Sequence, residues 1–337
     1  MDNLRAEEMK MTVSENPVYA VGMMVLGLAA GCVWYGFRLK KNGLAGVTAL
    51  WTALLGSVLA LLCAKFAYLL HDLGASIFED GYYDEITTLT PETLSFIGGA
   101  AGFIGGAAIA ARIGGIRPMK ALDLFAAPGC VFLCLARLAE GGMYDIGIGG
   151  SELGIPFLKF FPLAVQRYED TYYLCVYVLE ALAALLCLVP ALKGKAGGTD
   201  GGRFRRTAVC LLSAQIFFEM MVSYPYIRSF YTSFVSLEQV LCAVLLLALV
   251  IAGCVRNGRW LTLPVILVLL GISAFFQFFR DNKIDFLYDF LYGHEWYWAI
   301  DCAPEISLGV FFLVSVGLAA AGLKAVSPKR REKTGKM

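Results

Sequence analysis

The chain has 337 residues, 58% hydrophobic and only 16% charged, whereas soluble globular proteins hold about 45–50% apolar and about 25% charged residues. That composition excludes an ordinary water-soluble protein. A net charge of +1, from 28 basic and 27 acidic residues, shows neither the basic footprint of a nucleic-acid binder nor the bulk charge of an enzyme for acidic substrates.

A bilayer core about 30 Å thick needs roughly 20 mostly apolar residues per helix. Nine runs meet this requirement, at residues 18–37, 47–70, 95–111, 122–139, 171–191, 207–223, 236–255, 260–278 and 306–323. None has the polar and apolar alternation of a barrel strand of about ten residues. The expected fold class is therefore all-α: a polytopic integral membrane bundle of about nine transmembrane helices.

The segment 1–17 before the first run carries Asp2, Glu7, Glu8 and Glu15. A secretory signal peptide needs a basic segment there, so the first run is read as a retained helix. The loop 71–94 after the second run holds six acidic residues and no Lys or Arg. Cytoplasmic loops retain Lys and Arg. With the N-terminus outside, 19 basic and three acidic residues fall inside, and seven basic and 20 acidic residues fall outside. The net charges are then 19 − 3 = +16 and 7 − 20 = −13, which predicts an N-out, C-in orientation. The Gly-rich stretch 193–206 reads as a flexible cytoplasmic connector. The tail 324–337, with Lys329, Arg330 and Arg331, suits an anionic leaflet. External aromatics such as Tyr82, Tyr83, Tyr144, Trp296 and Trp298 fit an interfacial belt.

Ten cysteines and two histidines suggest neither a disulfide framework nor a metal site. There is no Cys-x-x-Cys, and nine of the cysteines lie in or at apolar runs. No cofactor and no metal is expected.

Ionisable groups inside hydrocarbon cost about 2.5–3.5 kcal/mol or more, so those that remain face a partner, a cavity or a substrate. They are Lys65, Arg137, Glu140, Glu180, Glu219 and, near a run end, Glu238. Arg137 and Glu140 are three residues apart and share a helix face. Such a pair either locks packing or presents a guanidinium to a phosphate. In the third run, Gly98, Gly102 and Gly106 form Gly-x-x-x-Gly steps. They read either as a close helix contact or as an approachable helix N-terminus, with Gly98 and Gly99 exposing amides to an anionic head group.

Together these residues resemble the prolipoprotein diacylglyceryl transferase family of bacterial plasma membranes. Ser95-Phe96-Ile97-Gly98-Gly99 is similar to that family's Ser-Phe-His-Gly-Gly. The stretch from Asp123 through Ala127-Pro128 to Ala136-Arg137-Leu138-Ala139-Glu140 is similar to its Asp-x-x-Ala-Pro followed by Gly-Arg-x-Gly-Asn. Ala64-Lys65-Phe66-Ala67-Tyr68 and Leu179-Glu180-Ala181-Leu182 match its Ala-Arg-x-Gly-Tyr and Leu-Glu-Gly-Leu. The resemblance covers residues 18–255 as a seven-helix core, with 256–323 as two additional helices.

What it implies is transfer of diacylglycerol from phosphatidylglycerol, or a related anionic phospholipid, to the lipobox cysteine thiol of secreted lipoprotein precursors. Arg137, Glu140 and His71 would be catalytic, with His71 standing in as base. Tyr68, Ser95, Phe96, Gly98, Gly99, Glu180 and Glu219 would bind substrate. The chain departs from the family at the chemistry: Ile97 replaces the motif histidine, Glu140 the signature asparagine, and Val222 the second arginine. Arg228 or Arg280 could replace that arginine in space. These departures leave open a catalytically inactive relative that binds phospholipid, lipoprotein precursor or another membrane protein.

Overall fold

The computed structural model describes residues 16–72, 94–142, 153–154, 156–168, 171–193, 200–221, 235–282 and 303–328. Helix α1 (Pro17–Lys41) opens at Asn16, whose side-chain oxygen accepts the Tyr19 amide at 3.0 Å. Pro17 takes the first helical position, where an N–H has no partner to lose. Arg38, Lys40 and Lys41 fill the last turn and oppose the negative end of the helix dipole.

Helices α2 (Thr48–Asp72) and α3 (Phe96–Ile113) pack backbone to backbone. A Cβ at Gly98 would lie 2.6 Å from the Cys63 carbonyl oxygen, and one at Gly106 would lie 2.6 Å from that of Leu55. At Gly102 it would overlap the Leu59 carbonyl. The glycine steps of the third run are thus a helix contact, in which the missing side chains permit close approach.

Helix α4 (Pro118–Glu140) lies against α1, with the Gly27 and Gly31 surfaces taking Leu135 and Phe132. Phe103 of α3 stacks on both Phe125 and Phe132 of α4, at centroid separations of 5.5 and 5.3 Å.

The fifth apolar run is shorter as a helix than its hydropathy suggests. Strand β1 (Ala164–Tyr168) pairs antiparallel with β2 (Thr171–Leu174), so the first residues of the run are extended. Helix α5 (Val176–Leu186) follows, and a separate turn of helix, α6 (Leu188–Leu192), completes the run. Pro190 sits four residues beyond Leu186. It lacks the N–H that would bond the Leu186 carbonyl and its ring crowds that group, which accounts for the break.

Helix α7 (Gly202–Met221) is the most polar of the long helices. It contacts α4, α5 and α6 on one side and α8 (Leu237–Asn257) and α10 (Ala303–Val326) on the other. Ser236 caps α8 by accepting the Gln239 amide at 3.1 Å, and Gly258 ends it with φ 66°. Helix α9 (Thr262–Asn282) packs on α8 and α10.

The two helices beyond residue 255 share the core of α7 and α8. Ser315 donates to the Ser213 carbonyl at 2.8 Å, Ser273 to Met220 Sδ at 3.0 Å, and Gln239 Nε2 to Gln277 Oε1 at 2.7 Å. Val209, Leu246, Ile266, Phe311 and Leu318 are fully buried in one continuous apolar cluster.

The regular secondary structure of the described residues is α-helical apart from the short hairpin and a single 3₁₀ turn. Six helices are long and apolar enough to cross a membrane: Pro17–Lys41, Thr48–Leu70, Phe96–Ile113, Pro118–Glu140, Leu237–Asn257 and Ile306–Val326. Val176–Leu192 and Thr262–Phe278 are shorter apolar helices. Val18, Val25, Leu50, Leu54, Leu62 and Phe66 are all at least half exposed on α1 and α2. Faces so apolar and so open require a lipid solvent.

Candidate functional site

The last turn of α4 places Arg137 beneath the start of α3, where it is only 7% exposed. Each of its three nitrogens has a partner. Nη1 lies 2.5 Å from Glu140 Oε1, Nε lies 3.2 Å from Glu180 Oε2, and Nη2 donates to Gln215 Oε1 at 3.0 Å. The Phe96 ring covers one face of the guanidinium, 3.8 Å from centroid to Cζ. Arginine is suited to this enclosure because its planar fork and flat face are satisfied by different partners.

Gln215 is the hub. While its oxygen accepts from Arg137, its Nε2 donates to Glu180 Oε1 and to Glu219 Oε1, both at 3.0 Å. Gln215 and Glu219 are four residues apart on α7 and so share its inner face. Ser236 Oγ, at the head of α8, donates to Glu219 Oε2 at 2.9 Å.

A second limb joins α3 to α8. Ser95 Oγ donates to Glu238 Oε1 at 2.5 Å, and the Ile97 amide donates to Glu238 Oε2 at 2.9 Å. The Gly98 amide bonds Ser95 Oγ at 3.0 Å and the Gly99 amide bonds the Ser95 carbonyl at 2.9 Å. A helix N-terminus attracts negative charge, and here that charge is the chain's own Glu238. Gly98 and Gly99 therefore do not present open amides: Gly98 faces α2, and both N–H groups have partners.

The Ser95 amide donates to the Ala64 carbonyl at 3.1 Å, tying α3 to the end of α2. There Lys65 Nζ lies 5.0 Å from the Tyr68 ring centroid. His71 stands in the last turn of α2, but its side chain lies outside the described residues. Val222, Arg228 and the external aromatics Tyr82, Tyr83, Tyr144, Trp296 and Trp298 lie outside them too, as does the Arg280 side chain.

Among the described residues the cluster brings one guanidinium together with four carboxylates, Glu140, Glu180, Glu219 and Glu238. Charges taken out of water are held only by good geometry and full hydrogen bonding, and every member has at least one bond. With four carboxylates to one guanidinium, an anionic guest reaches Arg137 only where a carboxylate is displaced or protonated. Glu140, at the helix end, is the open side, with its side chain 20% exposed against 9% for Arg137.

Of the residues read from the sequence, Ser95, Phe96, Gly98, Arg137, Glu140, Glu180 and Glu219 meet in this network, drawn from four helices. Glu238, read from the sequence as an ionisable group near a run end, joins it, and Gln215 and Ser236 complete it. Gln215 and Ser236 escape an inventory of ionisable groups because they are neutral. The only sequence signal for Gln215 is a polar side chain in an apolar run, one turn before Glu219.

Nine cysteines among the described residues are free thiols, and no group of three or more His, Cys, Asp or Glu residues among them is placed to hold a metal ion. No protein-family model, curated protein or solved structure matches this chain.

Proposed function

We propose that this is a prolipoprotein diacylglyceryl transferase-like protein of a bacterial plasma membrane, with nine spans, N-out and C-in, acting on an anionic glycerophospholipid at the outer leaflet. One observation carries the reading. Three of the stretches that resemble the family's motifs, at Ser95, Arg137 to Glu140 and Glu180, bring their polar side chains to one buried region with Gln215, Glu219 and Glu238, whereas Lys65 and Asp123 of the other motif positions lie outside it. A purely structural set of isolated pairs would have no reason to collect those positions in one place.

In such a site phosphatidylglycerol would enter from the Glu140 side, its phosphate meeting Arg137 as Glu140 gives way. The lipobox sulfur would form a bond to the glycerol carbon while the bond from that carbon to the phosphate oxygen breaks. Glycerol phosphate would leave with the electron pair, met by the guanidinium. The thiol proton would pass to a carboxylate, with Glu140 the nearest to the opening. Phe96 would hold the guanidinium plane, while Glu180 and Gln215 would hold its edge.

A second reading, an inactive relative that binds lipid or a lipoprotein precursor, is favoured by Ile97. This residue stands at the motif histidine and offers only its backbone amide, which Glu238 takes. The carboxylate excess points the same way.

The test is incubation of the purified protein with labelled phosphatidylglycerol and a lipobox peptide, beside its Arg137→Ala variant. Thioether product from the wild type and none from the variant supports the transferase. Product formation unchanged by Arg137→Ala refutes the assigned site, and lipid binding without product leaves the binding reading.

A further inference from the structure

The turn joining α8 to α9 is held firmly and points a guanidinium at the end of α10. Gly258 ends α8 in the left-handed region, with φ 66°, and the chain then doubles back into α9. The Arg259 carbonyl accepts from Cys254 Sγ at 3.2 Å and from Thr262 Oγ1 at 2.7 Å, while Asn257 Nδ2 donates to the Ala325 carbonyl at 2.7 Å. The turn is thereby fixed to α8, α9 and α10 together. From it Arg259 Nη1 donates to the Lys324 carbonyl.

Between this turn and the last turn of α10 lies a cleft of about 430 Å³, within the range of about 300–1,000 Å³ found for small-molecule sites. Arg259 and Lys324 stand in its wall, and no Asp or Glu does. Among the described residues the Lys324 ammonium has no hydrogen-bond or ion-pair partner, and Arg259 has no carboxylate beside it. Trp260 and Leu261, 53% and 85% exposed, flank the two cations. Val265 of α9 and Ala321 of α10 complete the apolar part of the wall. Each lies three residues further into its helix than Thr262 or Lys324, about 4–5 Å deeper in the bundle at 1.5 Å per residue. The cleft is therefore cationic at its rim and apolar below.

Retention of Lys and Arg on one side of a membrane accounts for the presence of these cations, and a charge at the end of α10 accounts for one nitrogen of Arg259. Neither accounts for two cations lining one open cleft with an apolar floor. Water satisfies the rim but leaves Trp260 and Leu261 exposed at a cost. Those two side chains set the rim at the membrane interface, the depth at which Trp is enriched. A ligand that matches both parts has an anion at one end and hydrocarbon at the other. Basic pockets between helices take the head groups of anionic lipids. A zwitterionic lipid brings its own cation to the rim, and a soluble phosphate leaves the apolar wall uncovered.

We propose that this cleft binds an anionic phospholipid of the leaflet at the basic end of the bundle, with its phosphate between Arg259 and Lys324 and an acyl chain along Val265 and Ala321. The site belongs to the helices beyond residue 255. It shares no residue with the Arg137 network and does not depend on the transferase reading.

The experiment is native mass spectrometry of the full-length protein in a neutral detergent, titrated with phosphatidylglycerol, with phosphatidylcholine and with glycerol phosphate. The wild type is expected to retain phosphatidylglycerol in preference to phosphatidylcholine, and to retain no glycerol phosphate at the same concentration. Lys324→Gln and Arg259→Gln should each weaken that lipid about tenfold, the loss of one charge-assisted contact. Lys324 is exposed and its ammonium ties no helix to another, so its variant serves if Arg259→Gln fails to fold. Lys120→Gln, at the same end of the bundle but outside the cleft, should keep the lipid. The lipid lost in Lys324→Gln should also be retained in Arg137→Gln, which separates it from any lipid held by the Arg137 network. Equal weakening by Lys120→Gln and Lys324→Gln is the mark of diffuse attraction to a basic face and overturns the proposal. Binding unchanged by Lys324→Gln overturns it too, as does glycerol phosphate held as tightly as the lipid.

Discussion

Replacing Gln215 with Leu tests whether the buried network is a single cooperative unit. Leucine nearly preserves the side-chain volume, so little cavity cost is added. The substitution removes three hydrogen bonds, each 3.0 Å long: one from Arg137 and two to Glu180 and Glu219. Hydrogen bonds within membrane proteins contribute about 0.6 kcal/mol on average and up to about 1.7 kcal/mol. Three of them predict a destabilisation of about 2–5 kcal/mol. Glu180 would keep Arg137 Nε at 3.2 Å and Glu219 would keep Ser236 at 2.9 Å, which holds the loss below that of an uncompensated charge. The assay is reversible unfolding in mixed micelles followed by circular dichroism, with a double-mutant cycle against Glu219→Gln. Because the two residues share a bond, the double variant should lose less than the sum of the singles. A loss under about 0.5 kcal/mol, or strict additivity with Glu219→Gln, would refute the view that Gln215 joins the carboxylates.

Gly102→Val should separate α2 from α3, because its Cβ would overlap the Leu59 carbonyl. A loss of about 1–3 kcal/mol or more is expected, read as lowered unfolding midpoint and membrane yield. Gly105→Ala, with nothing within 4 Å of the added atom, is its neutral control. Ser95→Ala removes the cap of α3 and the donor to Glu238 Oε1, and should cost about 1–2 kcal/mol in the same unfolding assay. Ser95→Thr should restore most of that stability by keeping the hydroxyl.

Much of the fold is legible one helix at a time. Apolar length marks the six long helices, and the start signals at Asn16, Pro17, Ser95, Pro118 and Ser236 stand in the local sequence because capping is a short-range interaction. The fifth run shows the limit of hydropathy. Its Tyr172, Tyr173 and Leu174 are as apolar as a helix requires, and backbone pairing with Gln166, Val165 and Ala164 draws them into a hairpin. Tertiary context decided that segment, since an apolar run satisfies either state.

The site divides along the same line. The sequence by itself determined which charges must be explained, because an ionisable group in an apolar run is conspicuous whatever it touches. It also carried the Arg137 and Glu140 pairing, a matter of helical period alone. Only the tertiary structure decided that Glu238, 143 residues away, closes the start of α3, and that neutral Gln215 joins Arg137 to two carboxylates. It likewise decided that Asp123 holds the start of α7 through the Gly201 and Phe204 amides. Those contacts depend on how whole helices pack, and helix packing is set by summed side-chain shape along each interface, which no local pattern encodes.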